Sequence, residues 1–290
     1  MAEEEPTFVA NSRLAFVEPL ITALERNWLL YLYEAIELAL FMISACAFTV
    51  FLFDPSWRGS QLFPSETTRR ILMGIAMGVT ALAIIHSPMG KRSGAHFNPA
   101  ITLTYLRLGK IGLWDAVFYI AFQFIGGVIG VAAAAGVFGE SLSRPAVAYA
   151  VTVPGKYGTI AAFLAELFMS AVLMIAILFL SNRVSLAAYV SYSVAVLIAL
   201  YVFFFAPISG FSINPARTTG SAIFAGVWTA GWIYFVAPLL GMLIAAEVYV
   251  HLNGARVLCA KLHPHSAVPC PFHCEFPGHL RRPACPQPQP

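Results

Sequence analysis

The amino-acid sequence predicts an all-α integral membrane protein in which six transmembrane helices and two re-entrant half-helices form an inverted 3+3 repeat. Three observations indicate this fold class: the composition, the long apolar runs, and a short motif that occurs once in each half. Hydrophobic residues make up 59% of the 290 residues and charged residues 11%, whereas soluble domains carry about 25% charged residues. The mean hydropathy is +0.76. The net charge of +3 is small and scattered, which gives no indication of nucleic acid as a partner.

Six apolar runs are long enough to cross a bilayer, which takes about 20 helical residues. The runs are Trp28 to Phe53, Ile71 to Ser87, Trp114 to Phe138, Ile160 to Leu180, Leu186 to Phe205 and Trp228 to Val250. The chain begins with an acidic segment that contains Glu3, Glu4 and Glu5. This segment lacks the basic and then apolar pattern of a cleaved signal peptide, so we expect the first span to remain in the protein.

The repeated motif is Asn-Pro-Ala, which predicts the start of a short helix. It occurs twice, 116 residues apart, as Asn98, Pro99, Ala100 and as Asn214, Pro215, Ala216. Asparagine caps free backbone N–H groups, and proline at the first helical position gives up an N–H that has no intrahelical partner. The apolar stretches around the motifs are too short to cross, so each predicts a re-entrant half-helix. Such backbone is tolerated only where it is buried in protein or lines a water-filled cavity, so two copies indicate a pore.

Each half of the chain has the order span, span, half-helix, span. Because three spans is an odd number, the halves must insert in opposite senses, which places the functional site at their interface near the bilayer midplane. The two half-helices then meet at their N-termini, where the positive ends of both helix dipoles repel cations. The side-chain N–H groups of Asn98 and Asn214 face a passing water molecule there. A water that turns its oxygen to both donors cannot relay a proton.

The predicted organisation has an N-terminal segment (1–27), a channel domain (28–252) and a tail (253–290). The channel domain divides into repeats of about 28–138 and 158–252. The distribution of lysine and arginine favours cytoplasmic N- and C-termini. In that orientation eleven basic residues lie inside: Arg13, Arg26, Lys91, Arg92, Arg107, Lys110, Arg183, Arg256, Lys261, Arg281 and Arg282. Five lie outside, namely Arg58, Arg69, Arg70, Arg144 and Lys156, and Arg217 falls within the membrane on the outer side.

The paired motifs, the preceding Ser93-Gly94-Ala95-His96 and the following Arg217 make residues 28 to 252 resemble the aquaporin, or major intrinsic protein, family. The resemblance implies a passive channel in a cell membrane, built as a homotetramer in which every subunit has its own pore. It implies no cofactor. The spans contain no nucleophile elbow, phosphate loop or His/Asp metal cluster, so no enzyme activity is predicted.

The resemblance places Arg217 in the outer constriction of the pore, where it offers donors to solute oxygen atoms and excludes cations. An arginine inside the membrane also marks a functional site, because placing its charge in the bilayer costs free energy that a purely structural residue would not require. Counting without gaps from the second motif places Val202 and Phe211 at two further constriction positions. The position in the second span is Met77 or Gly78, and we prefer Met77.

A constriction of this composition has an apolar wall, which lowers the desolvation cost of an amphipathic solute. Phe211 resembles the residue that glycerol facilitators carry at the loop position of the constriction. However, Thr218 and Ala222 stand where those facilitators carry an aspartate and a basic residue, and Tyr234 and Phe235 match an aromatic pair of water channels. The sequence therefore favours water, with glycerol, urea, hydrogen peroxide or ammonia as alternatives. An ion-coupled transporter is disfavoured, because both broken elements present half-helix N-termini that repel cations.

Buried glutamates are the candidates for bracing the loops. Glu34 or Glu37 in the first span and Glu166 in the fourth occupy corresponding places in the two halves, and a buried carboxylate needs several donors. By resemblance, these glutamates support the re-entrant loops. His96 precedes the first motif and is expected to hold the loop structure, with a contact at the cytoplasmic pore mouth or a pH gate as alternatives.

The tail is rich in proline, cysteine and histidine, and its proline content predicts a solvated, disordered chain. Cys270, His273 and Cys274 are candidates for binding a soft metal ion, although their spacing matches no standard zinc finger. A cytoplasmic location argues against stable disulfides. No metal or cofactor is predicted for the pore itself.

Overall fold

The computed structural model describes residues 20–254, 257–264 and 267–277, and the channel part of these residues is helical. The helices in chain order are α1 (Leu20–Phe53), α2 (Arg58–Leu62), α3 (Glu66–His86), α4 (Pro88–Ser93), α5 (Pro99–Arg107), α6 (Leu113–Phe138), α7 (Glu140–Ser143), α8 (Gly158–Ser181), α9 (Val190–Ser209), α10 (Pro215–Ala225) and α11 (Ile233–Asn253). Two 3₁₀ turns, Ala148–Ala150 and Ala187–Tyr189, precede α8 and α9.

Six of the described helices are long and apolar enough to cross a membrane: α1, α3, α6, α8, α9 with its preceding turn, and α11. The predicted six-span fold is thereby confirmed, with shifted ends. Helix α1 extends back beyond the predicted start at Trp28 to Leu20, the first described residue, because polar residues before the apolar run are paired inside the protein. The amide of Asn27, for example, donates to Asp115 Oδ1 at 2.9 Å.

The short helices α5 and α10 each begin at an Asn-Pro-Ala motif, between the second and third spans of their repeat. Within the repeats, α1 packs along α6 and α8 packs along α11. Between the repeats, α3 packs along α9, α5 packs against α11, and α10 packs against α6. Each half-helix thus contacts the last span of the other repeat, which is the arrangement of an inverted repeat.

Glycines allow the closest approach of α1 and α6. A Cβ atom added at Gly126 would lie 2.1 Å from the carbonyl oxygen of Ala35, and one added at Gly130 would lie 2.5 Å from that of Ala39. These distances are far inside van der Waals contact, so both positions require glycine. Small residues of this kind are typical of helix interfaces in membranes.

We therefore expect Gly126→Ala to destabilise the protein by about 1–3 kcal/mol through overpacking. Gly136, on the same helix, is the matched control, because a Cβ added there meets nothing within 4 Å. The same substitution at Gly136 should be neutral or stabilise slightly, since alanine favours a helix more than glycine does. Thermal unfolding of the purified protein in detergent measures both variants. Equal melting temperatures for the two would contradict the packing argument.

The two ends of α3 define two faces of the helix bundle. The N-terminal end lies on the constriction face, where Arg70 and Met73 line a cavity. The C-terminal end lies on the tail face, where His86 packs against His263 of the tail with ring centroids 4.6 Å apart.

An ion pair between the buried carboxylate of Asp54 and the partly exposed side chain of Arg144 holds the loop after α1 on the constriction face. Arg144 Nη1 lies 2.9 and 3.0 Å from the carboxylate oxygens of Asp54, and the carboxylate also accepts from the backbone N–H of Ser56. Burial alone would raise the pKa of Asp54, but the hydrogen bonds from Ser56 and Arg144 lower this pKa to about 2. The carboxylate therefore stays charged at neutral pH.

The described part of the tail differs from the solvated chain that its proline content predicts. Cys259, Ala260 and Leu262 are at most 1% exposed. Even Lys261 is buried, and its Nζ donates to the carbonyl oxygen of Lys91 at 2.7 Å. Apolar side chains and buried hydrogen bonds offset the entropy of ordering this segment, which composition alone cannot reveal.

Backbone hydrogen bonds join the tail to the bundle. Leu262 N donates to Gly94 O, and His273 N donates to Lys110 O, both at 3.0 Å. We call residues 257–264 and 267–277 the strap, because they cross the tail face. Residues 278–290, which include Cys285, lie outside the described residues.

Candidate functional site

The two motifs cap their half-helices with their asparagine side chains. Asn98 Oδ1 accepts from the backbone N–H of Ala100 at 2.9 Å, and Asn214 Oδ1 accepts from those of Ala216 and Arg217 at 3.0 and 3.2 Å. Both asparagines have the extended backbone typical of an N-cap. Pro99 and Pro215 occupy the first helical positions. The carbonyl end of each amide is thereby fixed, which also fixes the direction of its NH₂ group.

The NH₂ groups join the two re-entrant loops reciprocally. Asn98 Nδ2 donates to the backbone oxygen of Ile213 at 2.8 Å, and Asn214 Nδ2 donates to that of Phe97 at 2.7 Å. Each bond therefore runs from one repeat to the other and holds the N-termini of α5 and α10 together. An amide carries two N–H bonds, so each asparagine keeps a second donor beyond this contact.

Glu166 braces the loop before the second motif. Its Oε1 accepts from Ser209 Oγ at 2.7 Å and from Ser212 N at 2.9 Å, and its Oε2 accepts from Ile213 N at 2.6 Å. Glu166 is completely buried. Three donors on one carboxylate are what a buried charge requires.

In the first repeat the same three contacts are divided between Glu34 and Glu37. Glu34 accepts from His96 N at 3.0 Å and from Phe97 N at 2.6 Å, and Glu37 accepts from Ser93 Oγ at 2.7 Å. Both candidates therefore contact the loop. Glu34 makes the backbone contacts that correspond to those of Glu166.

The loops before the motifs have an unusual backbone. Ala95 and Phe97 in the first loop, and Phe211 and Ile213 in the second, have φ between 31° and 58°. Such conformations cost about 1–3 kcal/mol each for residues other than glycine. They turn successive N–H groups towards the glutamates, while the carbonyl groups of Phe97 and Ile213 accept from the motif asparagines. The strain is thus held in place by the buried carboxylates.

Two tyrosines support the loops from the last span of each repeat. The hydroxyl group of Tyr119 donates to Ser93 O at 2.7 Å, and that of Tyr234 donates to Ser209 O at 2.6 Å. Tyr234 is predicted from the sequence only as part of an aromatic pair, and Tyr119 is not predicted. The signal was available, because the tyrosines are 115 residues apart and the motifs are 116 residues apart.

The four residues predicted for the constriction line one cavity of about 320 Å³ on the constriction face: Met77, Val202, Phe211 and Arg217. The alternative, Gly78, does not face this cavity. A Cβ at Gly78 would lie 2.5 Å from the carbonyl oxygen of Ala195, so Gly78 packs against α9. The geometry therefore favours Met77 for the position in the second span.

Arg217 contributes a buried charge to this cavity, which Arg70 also lines. Its side chain is 8% exposed, and within the described part of the chain its Nη1 has no hydrogen-bond partner. A buried guanidinium donor without a partner is costly unless water or a solute binds it. The group is therefore available to an oxygen atom that enters the cavity.

His96 is completely buried where the first loop meets the strap. Its Nδ1 lies 3.1 Å from Thr102 Oγ1 and its Nε2 lies 2.9 Å from the carbonyl oxygen of Ala260. The ring lies between those of Tyr105 and Phe272, with centroids 5.2 and 5.1 Å away. His96 thus holds loop structure, and its neighbour on the tail face is the strap.

A second cavity, of about 300 Å³, lies on the tail face. It is lined by the ends of α3 and α9 and by Leu262, His263 and Pro264 of the strap. His86 Nε2 lies 2.8 Å from Ser191 Oγ at its border. The strap therefore forms part of the wall at this end of the bundle.

The metal candidates in the tail are not grouped as expected. The sulfur atoms of Cys270 and Cys274 lie with that of Cys259, all within 4.8 Å of one another. His273 is not part of this group, because its Nδ1 lies 3.2 Å from the carbonyl oxygen of Gly109. Cys259 is not among the predicted metal ligands, because it lies 11 residues before Cys270, outside the closely spaced Cys-Pro-Phe-His-Cys segment.

Residues 25–249 match the family model of the major intrinsic proteins. The chain is 31% identical to Aquaporin A of Dictyostelium discoideum over 190 residues, which cover 63% of this chain and 66% of that protein. It is 28% identical to Aquaporin Z of Rhodopseudomonas palustris over 195 residues, which cover 64% and 81%. The structure of the aquaglyceroporin from Plasmodium falciparum shares the fold, with a TM-score of 0.63, 19% identity and coverage of 76% of this chain and 93% of that chain. This protein is a member of the major intrinsic protein family.

Proposed function

We propose that this protein is a passive channel for water, with glycerol and other small neutral solutes as the second candidate. The observation that carries the proposal is the meeting of two capped half-helices whose asparagine amides bind each other's loops. Two of the relatives are named as aquaporins and a structural neighbour as an aquaglyceroporin. Both names fit a channel that uses no energy source.

The centre of the pore is proposed to lie between Asn98 and Asn214. The second N–H of each amide donates to the oxygen of a passing water, whose hydrogens then point away from the centre on both sides. The positive ends of two helix dipoles, each equivalent to about half an elementary charge, face the same point. A cation is repelled there, and a water held in this orientation cannot relay a proton along the file.

The selectivity filter is proposed to be the cavity around Arg217. Its guanidinium donates to the oxygen of the permeant and adds a fixed positive charge. Met77, Val202 and Phe211 provide an apolar wall without acceptors, so a cation that loses hydration water here gains nothing in return. Water is small and accepts hydrogen bonds from Arg217, so it loses the least solvation free energy on entering the filter.

The apolar wall is also the specific observation that favours glycerol as the second candidate. The carbon backbone of a polyol can contact Phe211 and Val202 while its hydroxyl groups bind Arg217. Water stays the first candidate because the residues at 218 and 222 do not follow the glycerol-facilitator pattern. The two functions differ in the rate of solute entry, not in the architecture.

The test is stopped-flow light scattering of proteoliposomes after an osmotic step, with empty liposomes as the reference. We expect fast water flow with low temperature dependence, slower glycerol entry, and no ionic current in planar bilayers. Solute uptake that requires a sodium or proton gradient would contradict a passive channel. An ohmic current through the wild type would contradict the proposed exclusion of ions.

Two opposite substitutions test the filter wall. We expect Val202→His to suppress glycerol entry, because it adds polarity and bulk, and Phe211→Ala to raise it, because it adds space. The glycerol-to-water permeability ratio should change by about tenfold in each direction, which corresponds to about 1.4 kcal/mol in a barrier. Both variants leave the central asparagines untouched. An unchanged ratio in both would place the selective barrier elsewhere.

We further propose a homotetramer in a cell membrane, with both termini cytoplasmic and residues 28–252 as the channel domain. The family match over residues 25–249 supports the domain boundaries. The excess of lysine and arginine assigned to the inner loops supports the orientation. Light scattering coupled to size-exclusion chromatography measures the oligomer, and labelling of single cysteines in sealed vesicles measures the orientation.

A further inference from the structure

The strap brings three cysteines together at one buried point. The sulfur atoms of Cys259 and Cys270 are 3.7 Å apart, and those of Cys259, Cys270 and Cys274 all lie within 4.8 Å of one another. None of the three cysteines forms a disulfide, and they are at most 8% exposed. A zinc ion with Zn–S bonds of about 2.3 Å in tetrahedral geometry holds its sulfur ligands about 3.8 Å apart. The observed separation of Cys259 and Cys270 is therefore the one that a common zinc ion requires.

The two ends of the strap meet beside these sulfur atoms. Glu275 N donates to Leu258 O at 2.8 Å, which ties the residue after Cys274 to the residue before Cys259. The strap contains no helix among its described residues. An irregular segment of this length has too small a core of its own and usually needs a metal or a covalent staple. A bound ion would supply that staple where the two ends cross.

The residues next to the cysteines contact the first re-entrant loop. The carbonyl oxygen of Ala260, which follows Cys259, lies 2.9 Å from His96 Nε2 and accepts its hydrogen bond. Phe272, between the other two cysteines, stacks on the same imidazole ring with an angle of 3° between the planes. A Cβ at Gly94 would lie 2.5 Å from the Phe272 ring. The cysteine cluster therefore fixes the parts of the strap that cover His96 and Gly94.

We propose that Cys259, Cys270 and Cys274 bind one zinc ion as thiolates, and that this ion clamps the strap against the loop of the first Asn-Pro-Ala motif. The three thiols release their protons to solvent when the ion binds. The fourth tetrahedral position is open to water. Thiolate ligands favour zinc or copper(I) over harder cations, and the 3.7 Å between the sulfur atoms of Cys259 and Cys270 matches two ligands of one tetrahedral zinc ion. The zinc site is independent of the proposed function, whereas any effect of the clamp on permeation rests on it.

The first test is the metal content of the full-length protein, purified in detergent under reducing conditions and dialysed against zinc. We expect one zinc per chain by elemental mass spectrometry, and the loss of most of it in Cys259→Ser and in Cys270→Ser. Cys46→Ser is the matched control, because Cys46 is a buried free thiol in α1 outside the cluster. Cobalt in place of zinc should give thiolate charge-transfer absorption in the wild type and the control, and not in the strap variants.

Three results would overturn the site: a wild type that stays free of zinc, a disulfide between Cys259 and Cys270 under these conditions, or a preference for copper(I) when both ions are offered. Size-exclusion profiles show whether the variants fold. Equal zinc contents in folded strap variants and in Cys46→Ser would also refute the assignment.

The second test measures the clamp through the accessibility of His96. Diethyl pyrocarbonate should modify His96 slowly in the zinc-loaded protein and at least several-fold faster after chelation or in Cys270→Ser, as read by peptide mass spectrometry. Unchanged modification after zinc removal would refute the clamp. A protein that binds zinc and protects His96 but conducts neither water nor glycerol would refute the proposed function and leave the zinc site in place.

Discussion

Replacing Arg217 with valine is expected to raise glycerol entry by about tenfold or more and to weaken cation exclusion. The substitution removes the buried positive charge of the constriction cavity and widens the cavity, while Arg70 in its lining remains. A tenfold change corresponds to about 1.4 kcal/mol in a barrier. The helix dipoles at Asn98 and Asn214 remain, so the proton block should fall only in part. Stopped-flow measurements of water and glycerol, together with bilayer conductance, measure the three effects.

Arg217→Lys is the control for this experiment. Lysine keeps the positive charge but loses the planar fork of donors. We expect cations to stay excluded in this variant while the glycerol-to-water ratio changes. A folded Arg217→Val protein with wild-type selectivity would show that Arg217 lies outside the filter.

Glu166→Gln is expected to have the largest effect on the integrity of the pore. Both carboxylate oxygens of Glu166 accept hydrogen bonds, so a glutamine must turn its NH₂ group towards a donor, either Ser212 N or Ile213 N. An unsatisfied buried donor costs about 1–3 kcal/mol, and Ile213 also has a strained positive φ. We expect a lower melting temperature and the loss of most water permeability.

Glu37→Gln is the matched control in the other repeat. Glu37 Oε1 accepts from Ser93 Oγ, and its Oε2 has no hydrogen-bond partner within the described residues. The NH₂ group of a glutamine can take the place of Oε2 without facing a donor. The effect on melting temperature should therefore be clearly smaller. An equal decrease in melting temperature in the two variants would show that the loss of a buried carboxylate in general, and not the bracing of the loop, explains the result.

The sequence predicts those features that depend on local physics. The number of spans follows from the lengths of apolar runs, and the half-helices follow from the capping chemistry of Asn98 and Asn214. The inverted repeat follows from the order of these elements. The predicted helix ends are less accurate than the number of helices. Hydropathy counts Asn27 as polar, even though Asp115 accepts a hydrogen bond from it inside the protein.

The remaining differences depend on contacts between distant residues. The division of one role between Glu34 and Glu37 becomes visible only when the donors of the loop are in place. The contact of Gly78 with Ala195 on another helix, which the sequence does not reveal, supports the preference for Met77. The strap was unexpected for the same reason, because its order comes from partners such as Gly94 that are remote in the chain.

The reciprocal amide bonds also set an order for biosynthesis. The first half of the chain leaves the ribosome before the second. Until the second half follows, the amide of Asn98 lacks its acceptor on Ile213 and the carbonyl of Phe97 lacks its donor on Asn214. In the hydrocarbon region each unsatisfied polar group costs several kcal/mol. The first loop therefore has no stable place in the bilayer until the second half has been translated. We expect that neither repeat folds stably on its own, and that a nascent chain stalled between them exposes an incomplete loop.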